Sequence, residues 1–428
     1  MAALAAGCGD PRATFSCADS SACRDGAELG TCESTGYCSF TDPSCASGAR
    51  YGAAAGNGYA DLCVGTTPPP PGAMASAARS TIALGAPTVA TCNRVRATLV
   101  VRDMDGNLFP SGGHAVVFAY AGTASGAPVV DHGDGTYATS LVADAAHPAA
   151  PVTATLDGEL VGDQQPLAIV DEIVPLTGLV VALDAARASG ACAPPAGDHW
   201  ADSAGGLTGT LEAFVDSACP DGMSGWCGIG TTDDPFRLAF DGTDDAVDLG
   251  VAAATPQYSL SAWLRPRGTG TVASSGTGGI LIAPVVAKGA AETEDVTKDI
   301  NYMMGLTALH TVGSDFERTP DSQNEPVTGA RSLADLTWHH VVVTFDDATE
   351  AVYVDGVLDT SVAIAATPSA ANLSRLCVGT SCRTDLGQVG HFRGDLARVA
   401  IYNRALSVIE IGAICHASAV RFAGASCP

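Results

Sequence analysis

The chain has 428 residues, more than one ordinary domain holds, and a formal net charge of −25. This charge repels phosphate backbones, which excludes nucleic acid as an expected partner, and it is compatible with calcium, whose ligands are oxygens. No stretch of about 18 apolar residues is present, so we expect no membrane-spanning helix. With 6% aromatic residues and 49 glycines, the composition favours many short strands and turns, an all-β protein.

The chain opens with MAALAAGCGD, in which small residues precede a cysteine. Ala6-Gly7-Cys8 fits the small-small-Cys pattern of a lipobox, and Cys8 is left over when the other 14 of the 15 cysteines pair. A signal peptide also needs a basic start and an apolar stretch, and neither is complete here. We interpret residues 1–8 as a truncated lipoprotein signal, with lipid on Cys8 as the only membrane contact.

Residues 9–65 form a Cys-rich segment with few large apolar residues, so it needs covalent bridges. Its six cysteines include no C-x-x-C pair and no nearby histidine, which favours disulfides over zinc and an oxidising compartment. Composition does not decide their connectivity; proximity along the chain suggests Cys17–Cys32, Cys23–Cys38 and Cys45–Cys63. The segment resembles Cys-rich modules that follow the lipid anchor in secreted proteins of myxobacteria-like bacteria.

A proline-rich spacer and a strand-rich segment come next. Residues 66–80 (TTPPPPGAMASAARS) cannot build a core and read as a linker. In residues 81–172 the apolar period is two, as in RVRATLVV, and Asp105-Gly106 supplies a turn. Several such strands predict a β-sandwich, and GDGTYATSLV resembles filamin-type and bacterial Ig-like repeats, which serve mainly as spacers or adhesive modules.

From residue 176 to residue 428 strand patterns recur, and their pieces match one family. The turn Phe240-Asp241-Gly242 with Asp244-Asp245, the strand SLSAWLRP, and then WHHVVVTFD, YVDGVL and FRGDLARVAIYNRAL follow the family's order. They resemble the laminin-G-like, concanavalin A-like lectin/glucanase jelly roll. The resemblance implies a second β-sandwich over residues 176–428.

Local signals in this region agree with strands closed by one helix. Two β-rich runs flank Asp346–Thr349 as a hairpin, and Asp355-Gly356 is the turn after them. Ser407 and Glu410 have capping-box spacing, which predicts the start of a short helix.

No constellation of catalytic residues stands out. A glucanase needs two carboxylates about 5–9 Å apart across the sugar, an E-x-D-x-E type of strand, and the nearest acids (ETED, 292–295) read as solvated surface. His339 and His340 are strand neighbours that face opposite sides, so they cannot chelate one metal; we expect one buried and one exposed. The sequence therefore predicts a protein that is not an enzyme.

The family resemblance implies one structural calcium ion. Carried over by position, its ligands are Asp202 in HWADSAGG, Asp241 in AFDG and Asp395 in FRGDLARV. Carboxylate oxygens from distant loops suit calcium. The alternative is that each aspartate caps a turn through its own backbone.

Exposed aromatic rings are the candidates for stacking on a sugar. Trp226, beside Cys227 in a Gly-rich loop, is the first candidate and Trp200 the next, whereas Trp263 and Trp338 read as core. The polar insertion 288–326 adds Tyr302 and Phe316, because loops on rigid sandwiches often carry binding. The alternative for the tryptophans is packing against a disulfide.

The downstream cysteines predict further disulfides. Cys377 with Cys382 and Cys415 with Cys427 read as local bridges, and Cys219 pairs with Cys192 or Cys227. Cys92 would then bridge to the jelly roll.

These features predict a bacterial lipoprotein of the outer membrane or cell surface, or a secreted protein, whose laminin-G-like domain binds glycan or a surface protein. Calcium is the only cofactor expected. One alternative is a glycan-active hydrolase on the same fold, and another is a structural module without a ligand.

Overall fold

The computed structural model describes residues 15–25, 28–56, 59–66, 74–120, 125–172, 174–215, 224–252, 254–290, 299–334, 336–369, 374–383 and 387–428. The protein is mostly β-structure, which confirms the all-β prediction. Two compact units divide the chain: residues 1–87, 96–141 and 149–167 belong to the first, and residues 88–95, 142–148 and 168–428 to the second. Within the described residues, no helix has the length and apolar character needed to cross a membrane.

The Cys-rich segment contains five short strands and is cross-linked by disulfide bonds. The bonds Cys17–Cys32, Cys23–Cys38 and Cys45–Cys63 are formed, so the pairing predicted from proximity is confirmed. Apart from the half-cystines Cys23, Cys38 and Cys45, the buried apolar residues described in this segment form a small cluster around Tyr51, Ala55 and Leu62, as expected where covalent bridges replace a core. The strands are β1 (Arg24–Asp25), β2 (Glu28–Leu29), β3 (Thr31–Cys32), β4 (Cys38–Thr41) and β5 (Ala49–Tyr51).

Two five-stranded sheets follow, one in the order β10-β12-β8-β6 with β11 beside β12, the other β14-β13-β15-β7 with β9 beside β13. The predicted alternation is confirmed, since Val95, Ala97, Leu99 and Val101 are all buried. The Ig-like identity stays a prediction. The strands are β6 (Ala75–Leu84), β7 (Thr88–Ala90), β8 (Arg94–Asp103), β9 (Val116–Tyr120), β10 (Ser125–Gly126), β11 (Val130–Asp131), β12 (Thr136–Val142), β13 (His147–Leu156), β14 (Glu159–Leu160) and β15 (Gln165–Val170).

The second unit is a sandwich of an eight-stranded sheet, β19-β20-β36-β22-β29-β30-β31 with β16 beside β36, and a nine-stranded sheet, β17-β18-β21-β33-β24-β25-β26-β28 with β23 beside β24. Inward-facing side chains of both sheets, such as Leu260, Val286 and Met304, build one continuous core. Its strands up to residue 315 are β16 (Leu179–Asp184), β17 (His199–Ala201), β18 (Thr208–Glu212), β19 (Gly225–Cys227), β20 (Arg237–Asp241), β21 (Ala246–Val251), β22 (Tyr258–Pro266), β23 (Ala273–Ser274), β24 (Leu281–Lys288), β25 (Tyr302–Leu306) and β26 (Thr311–Asp315).

The second half of this unit ends in a helix that covers the outer face of the eight-stranded sheet. Ser407 and Glu410 form the predicted capping box, and Ile411 and Ile414 pack on Ala400 and Tyr402. The elements are β27 (Arg318–Thr319), β28 (Val327–Ser332), β29 (His339–Phe345), β30 (Thr349–Val354), β31 (Val357–Ala363), β32 (Thr367–Pro368), β33 (Arg375–Val378), β34 (Thr380–Arg383), β35 (Gly387–His391), β36 (Arg393–Tyr402) and α1 (Val408–Ala419).

Two further disulfides agree with the predictions. Cys92 bonds to Cys192, and Cys415 bonds to Cys427. Because Cys192 is taken by Cys92, its predicted alternative partnership with Cys219 is wrong. Cys227 and Cys377 are also disulfide-bonded. Cys8, Cys219 and the side chain of Cys382 lie outside the described residues.

Three expectations need correction. Strand β6 begins at Ala75, so the predicted linker 66–80 ends earlier than its composition indicated. The insertion 288–326 is not one polar loop: β25 and β26 pair within it as an antiparallel hairpin of the nine-stranded sheet. His339 and His340 are both buried, because the outer face that His340 occupies is covered as well.

Candidate functional site

An open cleft of about 640 Å³ lies in the second unit. That volume is within the range of roughly 300–1,000 Å³ typical of small-molecule sites. Its walls come from β16 and the turn after it, and from the following residues outside that strand: Thr91, Asp171, Glu172, Val174, Leu176, Ser203, Ala204 and Arg398. The lining therefore mixes charged and hydroxyl groups with exposed apolar side chains such as Leu176.

The pairing of two strands brings charged side chains together at the floor of this cleft. Strand β16 runs antiparallel to β36, with Asp184 directly opposite Arg398. The strand ends at Asp184 because this carboxylate accepts the backbone N–H of Ala186 at 2.8 Å and caps a short 3₁₀ turn, Ala185–Arg187. The turn brings Arg187 to the cleft.

Four charged side chains form a chain of ion pairs at the floor. Arg421, from the segment after α1, donates to both Asp184 oxygens at 3.0 and 2.9 Å and to Glu172 at 3.1 Å. The other Glu172 oxygen pairs with Arg398. All four are largely withdrawn from solvent, and Arg421 is 2% exposed.

The ion pairs favour the charged forms of Asp184 and Arg421. Burial opposes the charge on Asp184, but Arg421 and Arg398 outweigh it and hold the pKa of that carboxyl below its ordinary value. Burial also opposes the charge on Arg421, but Asp184 and Glu172 raise the pKa of its guanidinium above the usual range. Asp184 therefore has no proton to give at neutral pH.

Asp202 caps the turn that carries the cleft residues Ser203 and Ala204. One of its oxygens accepts the backbone N–H of Ala182 and of Ala204, each at 2.8 Å. The other accepts from Gly205 at 2.9 Å and Leu207 at 3.3 Å. Its oxygens are engaged by backbone donors, so the turn-capping alternative describes this residue and the predicted calcium role does not fit it.

Arg187 is the cationic side chain of the cleft lining that takes no part in this network. Within the described part of the chain it makes no ion pair, whereas Arg398 and Arg421 are both bound to carboxylates. Beside it, Thr91 donates to an Asp171 oxygen at 2.6 Å, and Ser203 donates to the Ala182 carbonyl at 3.1 Å. The cleft thus offers one guanidinium and two hydroxyl oxygens that can still accept.

The other two predicted calcium ligands, Asp395 and Asp241, have different surroundings. Asp395 is completely buried and bound by arginines, so its predicted calcium role does not fit either. Asp241 lies near Asp244 and Asp245, and one oxygen of each carboxylate lies within 4.8 Å of the others. Burial raises the pKa of Asp245 to about 7. Calcium binding at this turn stays a prediction.

Three of the four predicted ligand-binding aromatics are buried. Trp200, Tyr302 and Phe316 are at most 1% exposed, so none can stack on a ligand from solvent; the expectation that they are exposed is wrong. Trp200 and Tyr302 point into the core because β17 and β25 are strands whose inward faces pack against the other sheet. Phe316, directly after β26, packs into the same core. Trp226 is partly exposed, stands edge-on to Trp200 at 5.3 Å, and donates to the Gly197 carbonyl at 3.0 Å.

The charged residues at and beneath the cleft floor were missed from the sequence. Glu172, Asp184, Arg398 and Arg421 are separated by up to 249 positions, and no motif links them. One signal was available in the sequence: because the chain has only 21 lysines and arginines in total, each arginine is a candidate for a specific role.

The comparisons with known proteins assign the domain around these sites. Residues 241–412 match the family model described as the concanavalin A-like lectin/glucanases superfamily. This part of the chain is a concanavalin A-like domain. Cleft residue Arg398 belongs to its matched range, whereas Glu172, Asp184 and Arg187 precede it and Arg421 follows it. No curated protein sequence matches the chain.

Solved structures with similar folds include carbohydrate-binding modules and glycosidases. Domain 4 of AbnA, an arabinanase from Geobacillus stearothermophilus solved with arabinotriose, is 15% identical at a TM-score of 0.37 and covers 55% of this chain and 98% of its own. The carbohydrate-binding module of a Ruminococcus gnavus sialidase is 14% identical at 0.31, covering 39% and 84%. Trypanosoma rangeli sialidase is 16% identical at 0.38; the match covers 77% of this chain and 49% of that enzyme.

Proposed function

We propose that the second unit binds a glycan in the cleft described above and does not hydrolyse it. The observation that carries the proposal is the floor of this cleft, where Arg421 and Arg398 are bound to carboxylates and Arg187 remains available. Fixed donors and acceptors next to apolar side chains suit a ring with hydroxyl groups on its edge and C–H groups on its face.

The same floor argues against hydrolysis. Glycoside hydrolysis needs one protonated carboxyl as the acid and a second carboxylate as nucleophile or base. Arg421 and Arg398 favour the ionised form of Asp184, and Arg421 bridges the two floor carboxylates. A non-catalytic role is the function that these pairs support.

A glycan array with the full chain tests this proposal, followed by titration calorimetry on the best ligand. Arg187→Gln removes the available guanidinium, and Ala204→Phe fills the cleft from an exposed position. Arg187→Gln should weaken binding at least about tenfold, as loss of a charge-assisted hydrogen bond does. Ala204→Phe should weaken it as well, because the added ring occupies the space of the ligand. Ala330→Phe, at an exposed strand position outside the cleft lining, is the matched control.

Three results would overturn the proposal. Silence over a broad array favours the structural-module alternative. Release of reducing ends from a bound glycan favours the hydrolase. If both cleft variants still bind the glycan and Trp226→Ala does not, the binding site lies at Trp226 and not in the cleft.

We also propose that the protein works outside the cytoplasm, as a secreted or cell-surface protein. Five disulfides with described partners support an oxidising compartment. A lipid on Cys8 is part of this proposal. Mass spectrometry of the protein from its native host tests it, and a free or disulfide-bonded Cys8 contradicts the anchor.

A further inference from the structure

A cluster of arginines surrounds one buried carboxylate on the eight-stranded sheet. Asp395 of β36 is completely buried, and one of its oxygens accepts from Arg265 at 2.6 and 2.7 Å and from Arg267 at 2.9 Å. Arg237 of β20 approaches the other oxygen at 3.5 Å. Three guanidinium groups thus share a single carboxylate.

Positive charge is in excess around this carboxylate. Arg237 has a second partner, Asp234, at 2.5 Å. Arg393, two positions before Asp395 on β36, is exposed and makes no ion pair in the described part of the chain. It lies along Gly268, whose added Cβ would meet the Arg393 Cδ at 3.2 Å. Burial lowers the pKa of Arg267; Asp395 works against this, and the charges of Arg265 and Arg237 add to the lowering.

The cluster is held rigidly and remains reachable. Arg265 lies over the ring of Trp338 at 5.1 Å, which orients its guanidinium plane. The side chains of Arg265 and Arg267 are 23% and 24% exposed, so solvent reaches both. Preorganised guanidinium groups are the usual partners of planar oxyanions, which they bind through paired N–H donors.

The surroundings restrict the kind of anion. The chain carries a net charge of −25, and Asp241 pairs across the strands with Arg393, so a dense polyanion is repelled. A single oxyanion on an otherwise neutral molecule meets the arginines without that cost.

We propose that Arg393, Arg265 and Arg267 form an oxyanion site for a sugar bearing one carboxylate or one sulfate. This site shares no residue with the cleft and does not depend on the function proposed for it.

Saturation-transfer NMR and calorimetry on the full chain test the site with galacturonate, glucose 6-sulfate, galactose and glucose. We expect an acidic sugar to bind and its neutral counterpart not to. Binding of galacturonate alone assigns the carboxylate, and binding of glucose 6-sulfate alone assigns the sulfate. Equal binding of acidic and neutral sugars, or of none, overturns the proposal.

Matched variants locate the binding. Arg393→Gln removes an exposed, unpaired charge and should weaken acidic-sugar binding about tenfold, whereas Arg393→Lys should weaken it less. Arg79→Gln deletes the same charge from an exposed position on β6 and should change nothing. An equal loss in the Arg393 and Arg79 variants would overturn the site, and an effect of Arg187→Gln would assign the binding to the cleft instead.

Discussion

Arg421 grips the carboxylate of Asp184 with two parallel hydrogen bonds of 3.0 and 2.9 Å, although 237 positions separate them in the chain. Asp184 ends the strand at the cleft floor, and Arg421 follows the C-terminal helix. The pair therefore joins the two ends of the second unit at the site where we propose ligand binding.

Replacing Arg421 should be strongly destabilising. Arg421→Met keeps most of the volume but leaves two buried carboxylates without their shared cation, which costs about 3–5 kcal/mol. Urea denaturation measures the change in the free energy of unfolding. Arg404→Met is the control: its ion pair with Glu410 is 26% and 30% exposed and should be worth less than about 1 kcal/mol. Equal costs would contradict the network.

Glu350 should make stability fall as pH rises. It is fully buried, accepts from Tyr258 at 3.0 Å and Ser314 at 2.5 Å, and burial raises its pKa to about 8 from 4.5. The folded state therefore holds a proton that the unfolded state releases above pH 4.5. Its contribution is complete below that pH and is lost as pH rises to about 8.

In Glu350→Gln the free energy of unfolding should fall less steeply between pH 4.5 and about 8, by at most about 1.4 kcal/mol per pH unit. Denaturation at several pH values measures this slope. Glu410→Gln is the opposite control. Hydrogen bonding to Arg404 holds the Glu410 pKa at about 2, so its contribution is lost as pH falls from 4.5 to 2. Parallel pH profiles for wild type and Glu350→Gln would exclude this titration.

Removing the C-terminal disulfide should loosen the aromatic stack beneath it. Phe422 lies inside the Cys415–Cys427 loop and packs between Trp263 at 4.5 Å and Trp338 at 4.7 Å. Opening this short loop costs roughly 2–3 kcal/mol in the chain-entropy account.

The double variant Cys415→Ser/Cys427→Ser should shift tryptophan fluorescence to the red at lower urea than wild type. Cys45→Ser/Cys63→Ser is the matched control, because all four tryptophans belong to the second unit. An unchanged fluorescence midpoint in the first variant would show that the stack holds without the bridge.

Asp202→Ala should destabilise the protein by about 2–4 kcal/mol, because four backbone N–H groups lose their acceptor. Since this carboxylate serves the backbone, the cost should be the same in calcium and in chelator. The exposed Asp244→Ala should stay within about 0.5 kcal/mol. A cost of Asp202→Ala that appears only with calcium would restore the metal role.

Local features were predictable because neighbours in the chain determine them. The alternation around Leu99, the Asp355-Gly356 turn between β30 and β31, and the Ser407–Glu410 capping box all follow from residues a few positions apart. The three N-terminal disulfides were also predicted, because short loops close most readily.

Only the tertiary structure decided which side chains meet and which stay exposed. Trp200 and Trp226 occur in similar polar loops of the sequence, yet the sandwich buries one and leaves the other partly open. The sequence predicted Asp395 as a calcium ligand, but in the folded sheet β20 and β22 place arginines against its carboxylate. Burial and partners depend on contacts between strands far apart in the chain, and alternation within one strand does not specify its neighbours in the sheet.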